Sequence, residues 1–385
     1  MKIMMCQINT TPGDFKGNVD QIKTLITKAF EEEVDLAVFP ELSIPGYLVR
    51  DMIYEKGFVE KNLRAVQEII AHYDVCHFEN RGTVRPVVVV GYIDENRSGV
   101  GKPFQNVAVA IHKGLIEGTY KKQLLPFYDV FDEGRYFEPG TDLTIIKVGN
   151  RRFGIIICED GWNDKGTDNY DYRVCPLQRY RDAGVNDIIS LNSSPFVKGK
   201  PERRMEMIRR SSENGIIVYV NQIGGQDELV FDGNSFICRD GAIVDEISVF
   251  DANQTYKIYD EDTLESLYKP QGNDMDVLYA ALKIGLGDYI RKSGFSEIVV
   301  GSSGGIDSAV VLALAADVLG ADKVHGIRMP SKYSSEGSVL DAFILHKNLG
   351  CNDYLVPISH LEEIKEVNKQ LNVPGDRKYN KVADE

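Results

Sequence analysis

The stretch Ser296–Leu314, SEIVVGSSGGIDSAVVLAL, constrains this chain more than any other. Ile298, Val299 and Val300 make a short β-branched run that reads as a buried strand. The run breaks into Gly301-Ser302-Ser303-Gly304-Gly305, and an alanine-rich apolar helix is expected from about Ser308. Glycines at the break permit positive φ and let the backbone approach a ligand closely. Free N–H groups at the start of the helix, helped by its dipole, favour a phosphate. The loop has neither the Gly-Lys-Ser/Thr ending of a Walker A segment nor a GxGxxG turn, so any phosphate site here is of another kind. An ordinary glycine-rich βα turn is the plain alternative.

The neighbouring segments extend the rhythm. A helix over about Asp276–Ser293 precedes the loop; Lys323–Arg328, Gly337–Leu349 and Asp353–Pro357 then read as strand, helix and strand. That order implies a parallel, right-handed βαβ arrangement. Upstream, short β-rich runs alternate with amphipathic helices. Strands are expected at Lys2–Asn9, Val34–Phe39 and Val87–Ile93, and hairpins at Asn106–Tyr120 and Leu143–Ile157. Helices are expected at Asn18–Glu32, Arg50–His72, Val174–Ala183 and Arg203–Asn214. Strands Ile188–Leu191, Ile216–Gln222, Ser235–Cys238 and Ile243–Ile247 complete a first unit whose helices cover sheets in layers. Residues 251–274 are polar, acidic and weakly periodic, and read as a connector.

Composition excludes several classes. With 58 acidic against 44 basic residues the net charge is −14, which opposes general binding to nucleic acid or anionic membranes. The six cysteines have no CxxC spacing, so neither a zinc site nor a disulfide framework is indicated. No apolar run approaches the roughly 18–20 residues of a membrane span, and the N-terminus lacks a signal-peptide layout. A reduced, cytoplasmic, soluble protein is the expectation.

Three strand ends carry chemistry. Phe39-Pro40-Glu41 places a carboxylate past one strand, Tyr120-Lys121-Lys122 places lysines past another, and Ile157-Cys158-Glu159-Asp160 places a thiol past a third. Taken singly, a solvated carboxylate, solvated lysines and a small buried thiol are the plain readings. Together and in that order, with matching context, they resemble the carbon–nitrogen hydrolase (nitrilase) superfamily. The resemblance runs from Met1 to about Val249 and implies a layered α-β-β-α fold. It makes Cys158 the nucleophile, Glu41 the general base and acid, and Lys122 (rather than Lys121) the cation that stabilises the oxyanion. In glutamine-hydrolysing members the matched pocket residues would be Tyr128, Glu133, Ser194 and Lys200, the lysine pairing the α-carboxylate. Arg203, Arg204, Arg209 and Arg210 read as a solvated helix face.

The loop Ser303-Gly304-Gly305-Ile306-Asp307-Ser308 resembles the SGGxDS loop of ATP pyrophosphatases, and Met329–Gly350 is very similar to the segment that follows it in glutamine-dependent NAD synthetases. This resemblance implies a partial doubly wound parallel-sheet domain of the adenine nucleotide alpha hydrolase type. ATP phosphates would be held by Gly301, Ser302, Ser303, Gly304, Gly305, Ile306, Asp307 and Ser308, with Asp307 also a Mg²⁺ ligand. The implied reaction adenylates deamido-NAD and displaces AMP with ammonia that glutamine supplies through an internal tunnel. The implied setting is cytoplasmic, with small-molecule substrates, no nucleic-acid or membrane partner, and a homo-oligomer. Expected boundaries are 1–250 for the glutaminase, 251–272 for a connector and 273–385 for the synthetase. The family's next motif would follow Glu385 directly, so only the first half of the synthetase domain is expected here. Two alternatives remain: a stand-alone amidase, and a nucleotide-binding interaction protein, against which the complete Glu-Lys-Cys set speaks.

Overall fold

The computed structural model describes residues 1–80, 85–162, 172–262 and 274–358, and divides the chain into two compact units, Met1–Asp288 and Tyr289–Glu385. The first begins with β1 (Lys2–Cys6), α1 (Phe15–Glu31), β2 (Leu36–Val38), α2 (Phe58–Glu79), β3 (Val87–Glu95) and the hairpin β4 (Phe104–His112) and β5 (Leu115–Lys121). It continues through α3 (Glu133–Tyr136), β6 (Ile145–Val148), β7 (Arg151–Ile157), α4 (Pro176–Asp182), β8 (Asp187–Asn192), α5 (Lys200–Ser211) and β9 (Ile216–Asn221). The hairpin β10 (Ile223–Gln226) and β11 (Leu229–Asp232) then leads to β12 (Phe236–Arg239), β13 (Ala242–Glu246) and β14 (Tyr256–Asp260).

Two six-stranded sheets result, ordered β14-β1-β2-β3-β4-β5 and β13-β12-β9-β8-β7-β6. Strand alternation sorts the side chains. Ile3 and Met5 of β1 and Ile155 and Ile157 of β7 meet between the sheets, in one buried cluster. Met4 and Cys6 face the other way, under the apolar stripes of α1 and α2. Ile156 likewise faces outward, beneath Leu177 and Tyr180 of α4 and Met205 and Ile208 of α5. The layers are α-β-β-α, as expected. Strands β1, β2 and β3 run parallel, as do β7, β8 and β9, so each sheet directs a set of strand C-termini to one end.

Three expectations change. The helix expected over Arg50–His72 is a 3₁₀ turn, Arg50–Tyr54, followed by α2; Gly57 at φ 83° makes the break. The hairpin β10–β11 was not anticipated, because its polar and glycine residues mask the alternation. The stretch taken as a connector contributes β14, antiparallel to β1 from Lys2↔Asp260 to Cys6↔Tyr256. A five-residue run with Ile258 as its one aliphatic residue, and with Lys257 and Asp260 charged, has little hydrophobic signal of its own.

Helix α6 (Asp274–Lys292) spans the division between the units. The second unit contains β15 (Ile298–Gly301), α7 (Ile306–Leu319), β16 (Val324–Arg328), α8 (Glu336–Leu349) and β17 (Asn352–Leu355). The strands form a parallel sheet ordered β15-β16-β17, as the βαβ rhythm requires. Ser335 caps α8 by accepting the Ser338 N–H at 3.1 Å, and Gly350 in the left-handed region ends it.

Candidate active site

The ends of β2, β5 and β7 deliver the three residues singled out above. Glu41 follows β2 in a turn packed against Gly91 of β3, where a Cβ would lie 2.4 Å from the Leu42 nitrogen. That close approach explains the glycine. Lys122 follows β5 and is buried, whereas the adjacent Lys121 is exposed. Lys122 Nζ donates to Glu41 Oε1 at 2.6 Å and to Glu133 Oε1 at 2.7 Å. Cys158 sits directly beyond β7 at φ 44°, a left-handed conformation that a non-glycine residue rarely adopts. The turn swings its thiol out of the strand and into the region where Glu41, Lys122, Glu159 and Lys200 act on it electrostatically.

Charge distribution sets the proton inventory. Burial drives the Glu41 pKa upward, Lys122 pulls it down and Glu133 adds to the rise, leaving it at about 7. Burial opposes the charge on Lys122, but Glu133 and Glu41 outweigh it and raise its pKa well above the usual lysine value. Burial, then Glu41, pushes the Cys158 thiol up, with Lys122 opposing. The resting pair is therefore a protonated thiol beside a carboxylate poised near neutrality. Asn106 Nδ2 at 2.7 Å and the Ser193 N–H at 3.0 Å supply further donors that orient Glu41.

The residues expected to line a pocket are also near. Glu133 joins the cluster itself: its Oε1 accepts from Tyr47 Oη at 2.6 Å as well as from Lys122. Tyr128 and Tyr172 donate to opposite oxygens of Glu159, at 2.9 and 2.8 Å. Ser194 is buried, and its Oγ accepts from Arg204 at 3.3 Å. Lys200 opens α5 with its ammonium over the Phe131 and Trp162 rings, 5.9 Å from each centroid. Burial, then Arg204, lowers its pKa. A cavity of about 280 Å³ adjoins the cluster on its Tyr47 and Glu133 side.

Arg204 corrects the helix-face reading. It is fully buried, and its guanidinium meets Asp232 with two contacts of 3.2 Å. Arg203 and Arg210 are exposed, as expected. The buried face of α5 is Pro201, Arg204, Met205, Met207 and Ile208, so helical spacing alone placed Arg204 on the apolar stripe. Asn106, Ser193, Tyr47, Glu159, Asp160 and Asp232 are the site residues that sequence reasoning did not assign. A Glu-Asp pair beside the cysteine was the one local signal for two of them.

In the second unit the glycine loop closes on itself. Gly305 N–H donates to Ser303 Oγ at 3.2 Å, and Ser308 Oγ donates to the Gly305 carbonyl at 3.0 Å. Gly304 lies at φ 82°, and a Cβ there would collide with the Ser338 carbonyl at 2.1 Å. Helix α7 starts at Ile306 with no side-chain cap, leaving its first N–H groups for a ligand. Ser302 is buried and its Oγ has no hydrogen-bond partner in the structure. Asp307 is exposed in the first turn of α7. Among the described residues no group of three or more His, Cys, Asp or Glu side chains is placed to hold a metal.

Comparison with known proteins agrees with both halves. The carbon–nitrogen hydrolase family model matches residues 2–248, and the NAD synthase model matches residues 278–382. The glutamine-dependent NAD(+) synthetase of Synechocystis sp. is 38% identical over 364 residues, 92% of this chain and 64% of that protein. That of Thermotoga maritima is 34% identical over 411 residues, 95% of this chain and 68% of that protein. A solved glutamine-dependent NAD+ synthetase from Acinetobacter baumannii, in complex with ADP, superposes with a TM-score of 0.82 at 28% identity. That superposition covers 99% of this chain and 70% of the other. The chain spans between 58% and 68% of the length of the curated relatives it matches. Fold and sequence together define the class: a carbon–nitrogen hydrolase unit joined to an NAD synthase unit. The chain belongs to the glutamine-dependent NAD(+) synthetase family.

Proposed function

We propose that this chain hydrolyses glutamine at Glu41, Lys122 and Cys158, and carries the ATP-phosphate loop of a domain that uses the released ammonia to convert deamido-NAD to NAD. The carrying observation is the buried Glu41–Lys122 pair at 2.6 Å beside the strained Cys158 turn. Cys158 Sγ attacks the amide carbon while Glu41 takes the thiol proton. The developing oxyanion meets the Lys122 ammonium, whose charge Glu133 helps to hold. Glu41 returns the proton to the departing ammonia, and a water activated by the same carboxylate then cleaves the thioester to glutamate. Lys200, its charge disfavoured by burial, suits the α-carboxylate of glutamine, and Tyr128 and Ser194 frame the same region.

In the second unit, Gly301, Ser302, Ser303, Gly304, Gly305, Ile306, Asp307 and Ser308 would hold the ATP phosphates. The orphaned Ser302 hydroxyl and the uncapped start of α7 fit that role. Asp307 would hold Mg²⁺, whose remaining ligands phosphate oxygens and water would provide; bound there, the ion offsets charge on the departing pyrophosphate. The reaction consumes deamido-NAD, ATP and ammonia and releases NAD, AMP and pyrophosphate. Among the described residues no helix is long and apolar enough to cross a membrane. The reading includes a cytoplasmic setting, no nucleic-acid partner and a homo-oligomer.

The test compares glutamine and ammonium as nitrogen donors for NAD formation, with ammonia release from glutamine measured in parallel. Cys158→Ala is expected to abolish ammonia release. Undiminished release by that variant contradicts the proposal, while hydrolysis of glutamine without NAD from either donor favours an amidase alone.

A further inference from the structure

Asp160, two residues beyond Cys158, is fully buried and touches no reacting group described above. Each of its oxygens accepts two hydrogen bonds. Oδ1 takes the N–H groups of Gln123 at 3.1 Å and Leu124 at 2.8 Å, which directly follow Lys122. Oδ2 takes the Tyr120 hydroxyl at 2.8 Å and the Ile157 N–H at 3.0 Å, the latter directly preceding Cys158. One carboxylate thus grips the Lys122 segment from both sides and ties it to the cysteine turn. Strands β5 and β7 belong to different sheets, so no ladder hydrogen bonds fix their ends relative to each other. Four donors saturate a carboxylate's acceptor capacity, which leaves the group no other task.

We infer that Asp160 is the positioning residue that sets Lys122 against Cys158. The inference rests on the Glu41, Lys122 and Cys158 reading above. An asparagine is the same size but offers N–H₂ where one oxygen accepted two bonds. It therefore releases one side of the grip, whichever way the amide turns. A shift of about 1 Å between reacting groups costs on the order of 10²-fold in rate. Because Lys122 favours the thiolate of Cys158, the variant also raises the pH at which the thiol reacts.

The experiment follows alkylation of Cys158 by iodoacetamide from pH 5 to 10, with the modified peptide identified by mass spectrometry. Asp160→Asn is expected to slow alkylation at pH 7 by about 10- to 100-fold and to move the profile upward. The kcat for glutamine falls with it while KM changes little. A folded Asp160→Asn chain whose profile overlays that of the native chain overturns the inference. Should that variant not fold, Tyr120→Phe, which removes one of the four donors, decides. A smaller shift in the same direction supports the inference, and an unchanged profile refutes it. If the native chain releases no ammonia from glutamine, the functional reading fails, yet the alkylation profiles still judge Asp160.

Discussion

In the hydrolysis proposed above Glu41 would carry the burden of proton transfer, and its surroundings fit it for that role. Buried without partners, a carboxylate stays neutral well above pH 7; the ammonium of Lys122 brings it back toward the working range, to about 7. Only the ionised form can take the Cys158 proton. Glutamine hydrolysis is therefore expected to rise with pH through about 7, with kcat/KM falling roughly tenfold per unit below that point. A rate profile whose acid limb lies at the pKa of an ordinary exposed glutamate contradicts this account. Glu41, Lys122 and Cys158 were legible in the sequence only as an ordered set with matching context, since each taken singly has a plainer reading; the structure brings Lys122 within 2.6 Å of Glu41. Asn106, Ser193 and Asp160 were not, because they act through backbone groups and partners remote in the chain. Asp160, for instance, bonds Leu124, 36 positions away.

Among the elements, α5 shows how a helix can hold a site from behind. Lys200 begins it, and one turn later the buried Arg204 reaches Asp232 on β11 and Ser194. Asn221, at the end of β9, donates to the same Asp232 and to the Ser194 carbonyl. Removing one partner of a buried ion pair strands the other in a medium that cannot solvate it. Arg204→Met is accordingly expected to destabilise the first unit by about 3–5 kcal/mol, measured by denaturant unfolding. A loss under about 1 kcal/mol would mean that Asp232 finds other donors or solvent, as a surface pair does. Regular elements with a strong period, such as α1 and the β4–β5 hairpin, were readable from residue order. The β10–β11 hairpin and β14 were not, since tertiary pairing rather than local pattern makes them strands.

At the scale of the whole molecule, the proposed function divides the chemistry between the two compact units, and that division is testable. Asp307→Ala alters only the loop of the second unit, which contains none of the glutamine-site residues. ATP cleavage to AMP is expected to stop while ammonia release from glutamine persists. AMP formation that survives the change would remove Asp307 from any metal or phosphate role. The family pattern was legible at this scale because two independent motifs, remote in sequence, point to successive steps of one reaction.

The pairing of β14 with β1 has a consequence for how the first unit can be handled. Without residues 256–260, β1 would present its outer row of N–H and C=O groups to solvent, flanked by the fully buried Ile3, Met4 and Met5. An apolar strand open along one side is a template on which other chains stack. A version ended near residue 250 would keep every residue of the proposed glutamine site and still be expected to aggregate, so a version that includes β14 is the one expected to stay soluble.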